Sequence, residues 1–333
     1  MLTSQRSHSE VMTNRLPALA LVAVMFAWAS AFVVIRGLGS GPAPHLSPLA
    51  MAEGRLLVGA AVLGVIWALH ALYNGGVRLP RGRTLALTVG YGALWFALYT
   101  VLVNAAEQHL DAGTTALLVN IAPIIVAILA GALLQEGFPP LLVVGIAISF
   151  AGAAVIAFTG DGRRDGAGVA LAVAAALLYG ISVVAQKLVL RTVDPLTATA
   201  LGAGVGAIVL LPWAPRLVDE LAAAPLSSTV GVIYLGLVPT ALAFLLWAYA
   251  LAHTPAGVTA SSSYAVPGLS ILLSWAFLAE TPTAWGLLGG VLCLVGVAVS
   301  RLTPRRRGAA PTATAARPAE SGRPTALPAG ASC

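Results

Sequence analysis

The sequence predicts an all-α integral membrane protein, with ten transmembrane helices laid out as two inverted five-helix repeats, and three observations predict it. Only 9% of the 333 residues are charged and 59% are hydrophobic, whereas a soluble chain carries about a quarter charged side chains. The apolar residues come in blocks of roughly 20, the length that crosses a bilayer. A shift of 144 residues along the chain brings landmarks of the second half onto those of the first.

Residues 1–15 form an N-terminal tail, and the first block follows from Leu16 to Ile35. Arg15 ahead of it and Ala29-Ser30-Ala31 within it resemble a cleaved secretory signal. Its counterpart in the second half argues for retention, because removal would break a repeat. The next four blocks are Leu49 to Tyr73, Thr84 to Ala106, Ala112 to Leu134 and Leu141 to Thr159, completing a first repeat over residues 16–160. The second repeat, residues 161–303, holds Ala167 to Leu190, Leu196 to Trp213, Ser228 to Ala252, Gly257 to Ala279 and Ala284 to Arg301. No Asp, Glu, Lys or Arg falls between Leu221 and Ala279, so His253-Thr254-Pro255 marks the turn there. Residues 304–333, rich in Ala, Pro, Thr and Gly, bury too little to offset their ordering entropy and are expected to be a disordered cytoplasmic tail.

Placing both termini inside puts 13 Lys and Arg in cytoplasmic segments and four outside, at Arg36, Arg163, Arg164 and Arg216. That asymmetry sets the orientation and also accounts for the net charge of +6 without a nucleic-acid partner. Cys293 and Cys333 offer no disulfide framework.

The 144-residue shift matches His109 with His253, Gly113 with Gly257, Pro123 with Pro267, Glu136 with Glu280, Gly145 with Gly289 and Gly152 with Gly296. A looser match sets Trp28 to Arg36 beside Tyr179 to Lys187. Five spans separate equivalent positions, and five is odd, so the second half sits upside down relative to the first. Many secondary transporters share this plan, with the substrate near the midplane between repeats.

Two five-span repeats with Trp28-Ala29-Ser30 in the first helix and paired Ala-Gly, Pro and Glu landmarks resemble EamA-type permeases of the drug/metabolite transporter superfamily, over roughly residues 16–302. The resemblance implies a ten-helix bundle of the bacterial cytoplasmic membrane that moves amino acids, other metabolites or toxic compounds, with export the expected direction and alternating access the expected mechanism. An intramembrane enzyme or a non-transporting scaffold is the alternative. The enzyme would need clustered nucleophiles or metal ligands inside the spans, and the scaffold would ordinarily add a soluble domain.

Arg55 is the outlier, because it stands about 10 Å into the second span at 1.5 Å per residue. Such a charge faces the bundle interior, a wet cavity or a partner, and marks a functional site by default. Glu53, two positions away, points to nearly the opposite side and pairs with it poorly. The alternative for Arg55 is snorkelling or a structural ion pair.

Asn120 and Tyr264 each stand three residues before a proline, Pro123 and Pro267, in equivalent spans. A proline inside a span interrupts helical hydrogen bonding, and the freed backbone must meet a neighbouring helix or a cavity. The two prolines are therefore candidate breaks or gates, and Asn120 and Tyr264 candidate substrate contacts facing one another. Packing kinks are the alternative. Trp28, Tyr99, Tyr179 and Trp247 join them as aromatics able to stack on substrate, or simply to anchor at the interface. Ser261, Ser262 and Ser263 read as helix packing.

Glu136 and Glu280 read as a structural pair at span ends rather than a proton relay. No catalytic residue, metal site or cofactor is expected, and no phosphate-binding loop supports ATP-driven pumping. The expected partners are a small-molecule substrate and the lipid bilayer, with a homodimer as a further option. With so few carboxylates in the spans, no dedicated proton site is evident, and exchange or facilitated diffusion stays open.

Overall fold

The computed structural model describes residues 2–39, 46–77, 79–109, 115, 118–158, 165–278 and 283–302, and these are helical throughout apart from short connections. The expected tail at 304–333, the landmarks Gly113 and Glu280 and the loop at 161–164 lie outside the described residues. Among the described residues, seven stretches are long and apolar enough to cross a membrane: Arg15–Ile35, Pro48–Tyr73, Gly82–Ala106, Gly166–Val189, Pro195–Ala223, Leu226–His253 and Ala256–Phe277. Three shorter apolar helices, Ala122–Leu133, Pro140–Val155 and Ala284–Ser300, fall where the remaining blocks were expected. The chain is a multi-pass helical membrane protein.

In the first half, α1 is Leu2–Gly39 and α2 is Pro48–Tyr73. The third block runs as α3 (Gly82–Tyr91), a π-helical segment Gly92–Tyr99 and α4 (Thr100–His109), followed by α5 (Ala122–Leu133) and α6 (Pro140–Phe158). In the second half, α7 is Gly166–Val189, α8 Pro195–Leu210 and α9 Ala214–Ala223. The eighth block is α10 (Leu226–Leu235), a second π-helical segment Gly236–Leu242 and α11 (Ala243–His253). The ninth is α12 (Ala256–Ser261), a 3₁₀ turn Ser262–Tyr264 and α13 (Ala265–Leu278), and α14 (Ala284–Arg301) closes the bundle.

Local chemistry explains these boundaries. Ser47-Pro48 and Asp194-Pro195 open α2 and α8 alike. The Ser47 and Asp194 side chains accept from the Ala50 and Thr197 N–H groups at 3.3 and 2.9 Å, and proline takes the first helical position, where its missing donor costs nothing. Two features depart from the sequence expectation. Helix α1 continues upstream through the segment read as a tail, and α9 adds an amphipathic helix beyond the seventh span. Arg216 and Glu220 pair along one side of α9 at 2.8 Å, and Glu220 also accepts from the Ser47 N–H at 2.6 Å.

Most packing joins one half to the other. Helix α1 lies against α11 and α13 of the second half, whereas α7 lies against α3, α4 and α5 of the first. Helix α2 packs on α8 and on the second π segment, and α8 packs on the first π segment. The closest approaches fall at glycines. A Cβ on Gly92 would stand 2.8 Å from the Gly202 carbonyl oxygen, and one on Gly236 2.9 Å from that of Arg55.

Helices α6 and α14 form the tightest pair. A Cβ on Gly145 would meet the Gly296 carbonyl oxygen at 2.5 Å, and one on Gly152 that of Gly289 at 2.6 Å. Between them the Ser149 hydroxyl donates to the Cys293 carbonyl at 3.0 Å, and the Cys293 thiol donates to the Ser149 carbonyl at 3.4 Å. The 144-residue shift carries Gly145 to Gly289, Ser149 to Cys293 and Gly152 to Gly296, so it maps each side of this contact onto the other.

Candidate functional site

Seven aromatic rings meet where the halves interleave. Trp95 from the first π segment stacks on Tyr179 of α7 with centroids 5.2 Å apart, and meets Phe244 and Trp247 of α11 edge-on at 5.1 and 5.8 Å. Trp28 of α1 reaches Trp247 at 5.0 Å and Phe244 at 5.6 Å. Tyr99 approaches Tyr179 at 5.8 Å, and Phe96 lies 4.4 Å from Phe244. These spacings suit tilted or edge-to-face aromatic pairs, each adding about 0.5–1.5 kcal/mol beyond area burial. Trp95, Tyr179 and Trp247 are buried.

The cluster is polar as well as aromatic. Among the described residues the Tyr179 hydroxyl, the Ser182 hydroxyl, both amide atoms of Gln186, the Trp247 Nε1 and the Tyr264 hydroxyl are buried without a hydrogen-bond partner. Ser263 approaches the Tyr179 hydroxyl, and Tyr91 the Gln186 amide, without reaching hydrogen-bond geometry. Tyr179, Ser182 and Gln186 stand at i, i+3 and i+7 and so line one face of α7. A buried polar atom left unpaired costs about 1–3 kcal/mol, so this strip suits donors and acceptors brought by water or a polar ligand.

Trp28 and Arg55 converge on the second π segment. Trp28 donates from Nε1 to the Pro239 carbonyl at 3.2 Å, and Arg55 from Nε to the Thr240 hydroxyl at 3.1 Å. Thr240 in turn donates to the Leu235 carbonyl at 2.8 Å, across the widened π turn. Ser30 shares a 2.7 Å hydrogen bond with the Tyr234 hydroxyl, so the Trp28-Ala29-Ser30 stretch is fastened to the second half. π-helical turns within α-helices frequently mark functional sites.

Pro123 and Pro267 are buried in the first turns of α5 and α13, where a proline replaces no helical donor. The irregular backbone lies just before them, at the turn Asn120-Ile121 and the 3₁₀ turn Ser262–Tyr264. Asn120 and Tyr264 are both buried, and no hydrogen bond joins them to one another or to Arg55 among the described residues. Of the sequence-predicted residues, Trp28, Tyr99 and Tyr179 meet in one cluster, Tyr264 lies beside Tyr179, and Arg55 shares the π segment with Trp28.

A second polar site ties down the α11–α12 turn. Lys187 donates to the carbonyls of Leu251 and Thr254, the latter at 2.6 Å. Glu136 accepts from the N–H groups of Ala256 and Gly257 at 2.9 and 3.4 Å. A cation at a helix C-terminus and an anion at the next N-terminus both follow the helix dipole. His109 pairs with Asp165 at 2.8 Å, and His253 bonds the Tyr249 carbonyl at 2.7 Å.

The model of the EamA-like transporter family matches this chain twice, over residues 15–158 and 166–302. The chain belongs to the EamA-like transporter family. It is 36% identical to the probable terminal-alkyne amino-acid exporter of Streptantibioticus cattleyicolor, over 88% of this chain and 96% of that protein. It is 32% identical to the uncharacterized transporter YdfC of Bacillus subtilis, over 83% of this chain and 87% of that one. A solved crystal structure at 21% identity shares the fold with a TM-score of 0.68, over 88% of this chain and 99% of its own. The family and its named relatives mark a membrane transporter rather than an enzyme, with a small molecule as cargo and the bilayer as surroundings.

Sequence reasoning missed part of this transporter's cluster. Nothing in the sequence singles out Trp95, Phe96 and Phe244, since an aromatic in an apolar block carries no sign of which way it faces. Ser182 and Gln186 had a usable signal, because their spacing from Tyr179 draws a polar stripe on an otherwise apolar helix.

Proposed function

We propose that this transporter is a secondary exporter of amino-acid-like metabolites, built as ten membrane spans in two inverted repeats and working by alternating access. The observation that carries the reading is the buried cluster in which aromatic rings from both halves surround orphaned polar atoms. Such a chamber binds a compact molecule with an apolar body and a few hydrogen-bonding groups. The exporter named among the relatives handles an amino acid, which has that character. The inverted-repeat plan draws support from the two consecutive family matches and from the α6–α14 contact, whose two sides the 144-residue shift exchanges. The basic-residue bias argues for both termini inside a bacterial cytoplasmic membrane.

In this reading the rings hold the apolar body and the ammonium group, since a cation over an aromatic face is attracted by the ring quadrupole. Arg55, anchored at Thr240, meets the carboxylate. Asn120 and Tyr264 sit at the helix breaks that open and close the pathway. Purified protein in liposomes, loaded with one amino acid of a panel and diluted into its labelled form, is expected to show saturable exchange for apolar members. Arg55→Ala is expected to abolish the preference for amino acids over the matching amines. No solute-dependent flux across the panel sinks the reading, and unchanged discrimination in Arg55→Ala removes that residue from it.

A further inference from the structure

Glu53 belongs to neither site. It stands in the second turn of α2, its side chain is 0% exposed, and neither carboxyl oxygen has a hydrogen-bond partner among the described residues. Arg55 is not its counterion. Two positions along a helix is about 200° of rotation, and the Arg55 Nε is engaged with Thr240 on the opposite flank.

Among the described residues, the elements packed against α2 supply no counterion either. Helix α8, the second π segment and residues 211–213 carry no ionisable side chain. From α9, Arg216 and Glu220 pair with each other, Glu220 also holds the Ser47 N–H, and Asp219 is exposed. From α10, the Tyr234 hydroxyl is paired with Ser30. From α4, His109 is paired with Asp165, and the Glu107 side chain lies outside the described residues.

An ionised carboxylate in that setting costs several kcal/mol, because no cation among the described residues offsets its desolvation. The neutral acid loses only its hydrogen bonds. The polar end of α2, where Ser47 and Glu220 meet, is six residues away, or about 9 Å along the helix. Under two helical turns of protein therefore separate Glu53 from that polar end.

We propose that Glu53 takes up a proton on one side of the membrane and releases it on the other, so that substrate export is exchanged for proton entry. The step is a protonation alone. The carboxylate accepts a proton from water on the outer side, crosses the closed conformation as the neutral acid, and returns the proton to water inside. This coupling rests on the transporter reading above, whereas the buried neutral carboxyl does not.

Two measurements test it separately. Infrared difference spectroscopy of the purified full chain in lipid nanodiscs, with no substrate present, is expected to show a carboxylic-acid C=O band at neutral pH that Glu53→Gln removes and Glu53→Asp keeps. Absence of any Glu53-dependent band at neutral pH overturns the proposal. In proteoliposomes exchanging an apolar amino acid, an imposed pH gradient is expected to drive accumulation by the wild type and by Glu53→Asp. Glu53→Gln is expected to keep downhill exchange and lose the gradient-driven part. Accumulation by Glu53→Gln equal to wild type, or driven in wild type by a sodium gradient alone, overturns the coupling. If the wild type moves no amino acid at all, the transport reading fails, while the band still reports on the proton site.

Discussion

The α6–α14 seam and the aromatic chamber around Tyr179 are both assembled from the two halves, yet they treat polar atoms in opposite ways. Along the seam the side chains find partners: Ser149 and Cys293 bond each other's carbonyls, and beside it Ser261 of α12 shares a 2.9 Å bond with Ser300 of α14. Glycines bring the backbones to near contact. In and around the aromatic cluster, five of the described residues leave polar atoms unpaired. A membrane interior tolerates unmet hydrogen bonds poorly. The seam meets its own hydrogen-bonding needs, whereas the aromatic cluster, among the described residues, does not. In the proposed function, that difference separates what holds the halves together from what they hold.

The largest effects belong to the seam. Gly145→Val or Gly296→Leu would drive a side chain into backbone standing 2.5 Å from its Cβ, with no flexible neighbour to yield. Overpacking of this kind costs about 3 kcal/mol, equivalent to a drop on the order of 10 °C in the unfolding midpoint. Size-exclusion chromatography after a heat ramp is expected to show it in both variants. An unchanged midpoint would mean that the seam is looser than these contacts require.

The chamber should respond the other way. Gln186→Leu and Tyr179→Phe each remove an orphaned polar group while nearly keeping its volume, and replacing an unpaired group by an apolar one is neutral or stabilising. The midpoint is expected to hold or rise, while exchange in proteoliposomes falls on the order of ten-fold, the loss of one good hydrogen bond to the cargo. Lower stability with undiminished transport would reverse the roles given to the two regions.

How far the sequence told these regions apart depended on what each feature costs when it is wrong. The glycines of the seam were legible as repeat landmarks, because the register of Gly145, Gly152, Gly289 and Gly296 survives a plain shift of the chain, although their meeting across α6 and α14 was not. The isolation of Glu53 from Arg55 was legible from helical geometry. Trp28, Tyr99 and Tyr179 could be nominated as aromatics, but their meeting with Trp95, Phe96 and Phe244 depends on how the halves interleave. The two π segments were invisible, since a widened turn has no compositional mark. Glu136 reads from the sequence as a structural residue, and its partners, the N–H groups of Ala256 and Gly257, lie 120 and 121 residues away. Only the fold brings them together.

The smallest effect sharpens the comparison most, because it asks whether the two sides of the seam are equivalent. The Ser149 hydroxyl and the Cys293 thiol each donate to the other's carbonyl, at 3.0 and 3.4 Å. Both carbonyls lie within helices and keep their backbone donors, so losing a side-chain donor orphans nothing. Interhelical hydrogen bonds in membranes average about 0.6 kcal/mol. Ser149→Ala is expected to cost about that much, and Cys293→Ala less from its weaker thiol donor, although a small cavity adds to its cost. Neither should alter exchange. A double-mutant cycle on unfolding free energy is expected to show coupling of about 0.5 kcal/mol, as for residues in direct contact. Additive losses would mean that the two bonds act independently, and a fall in transport without loss of stability would move the seam into the working part of the cycle.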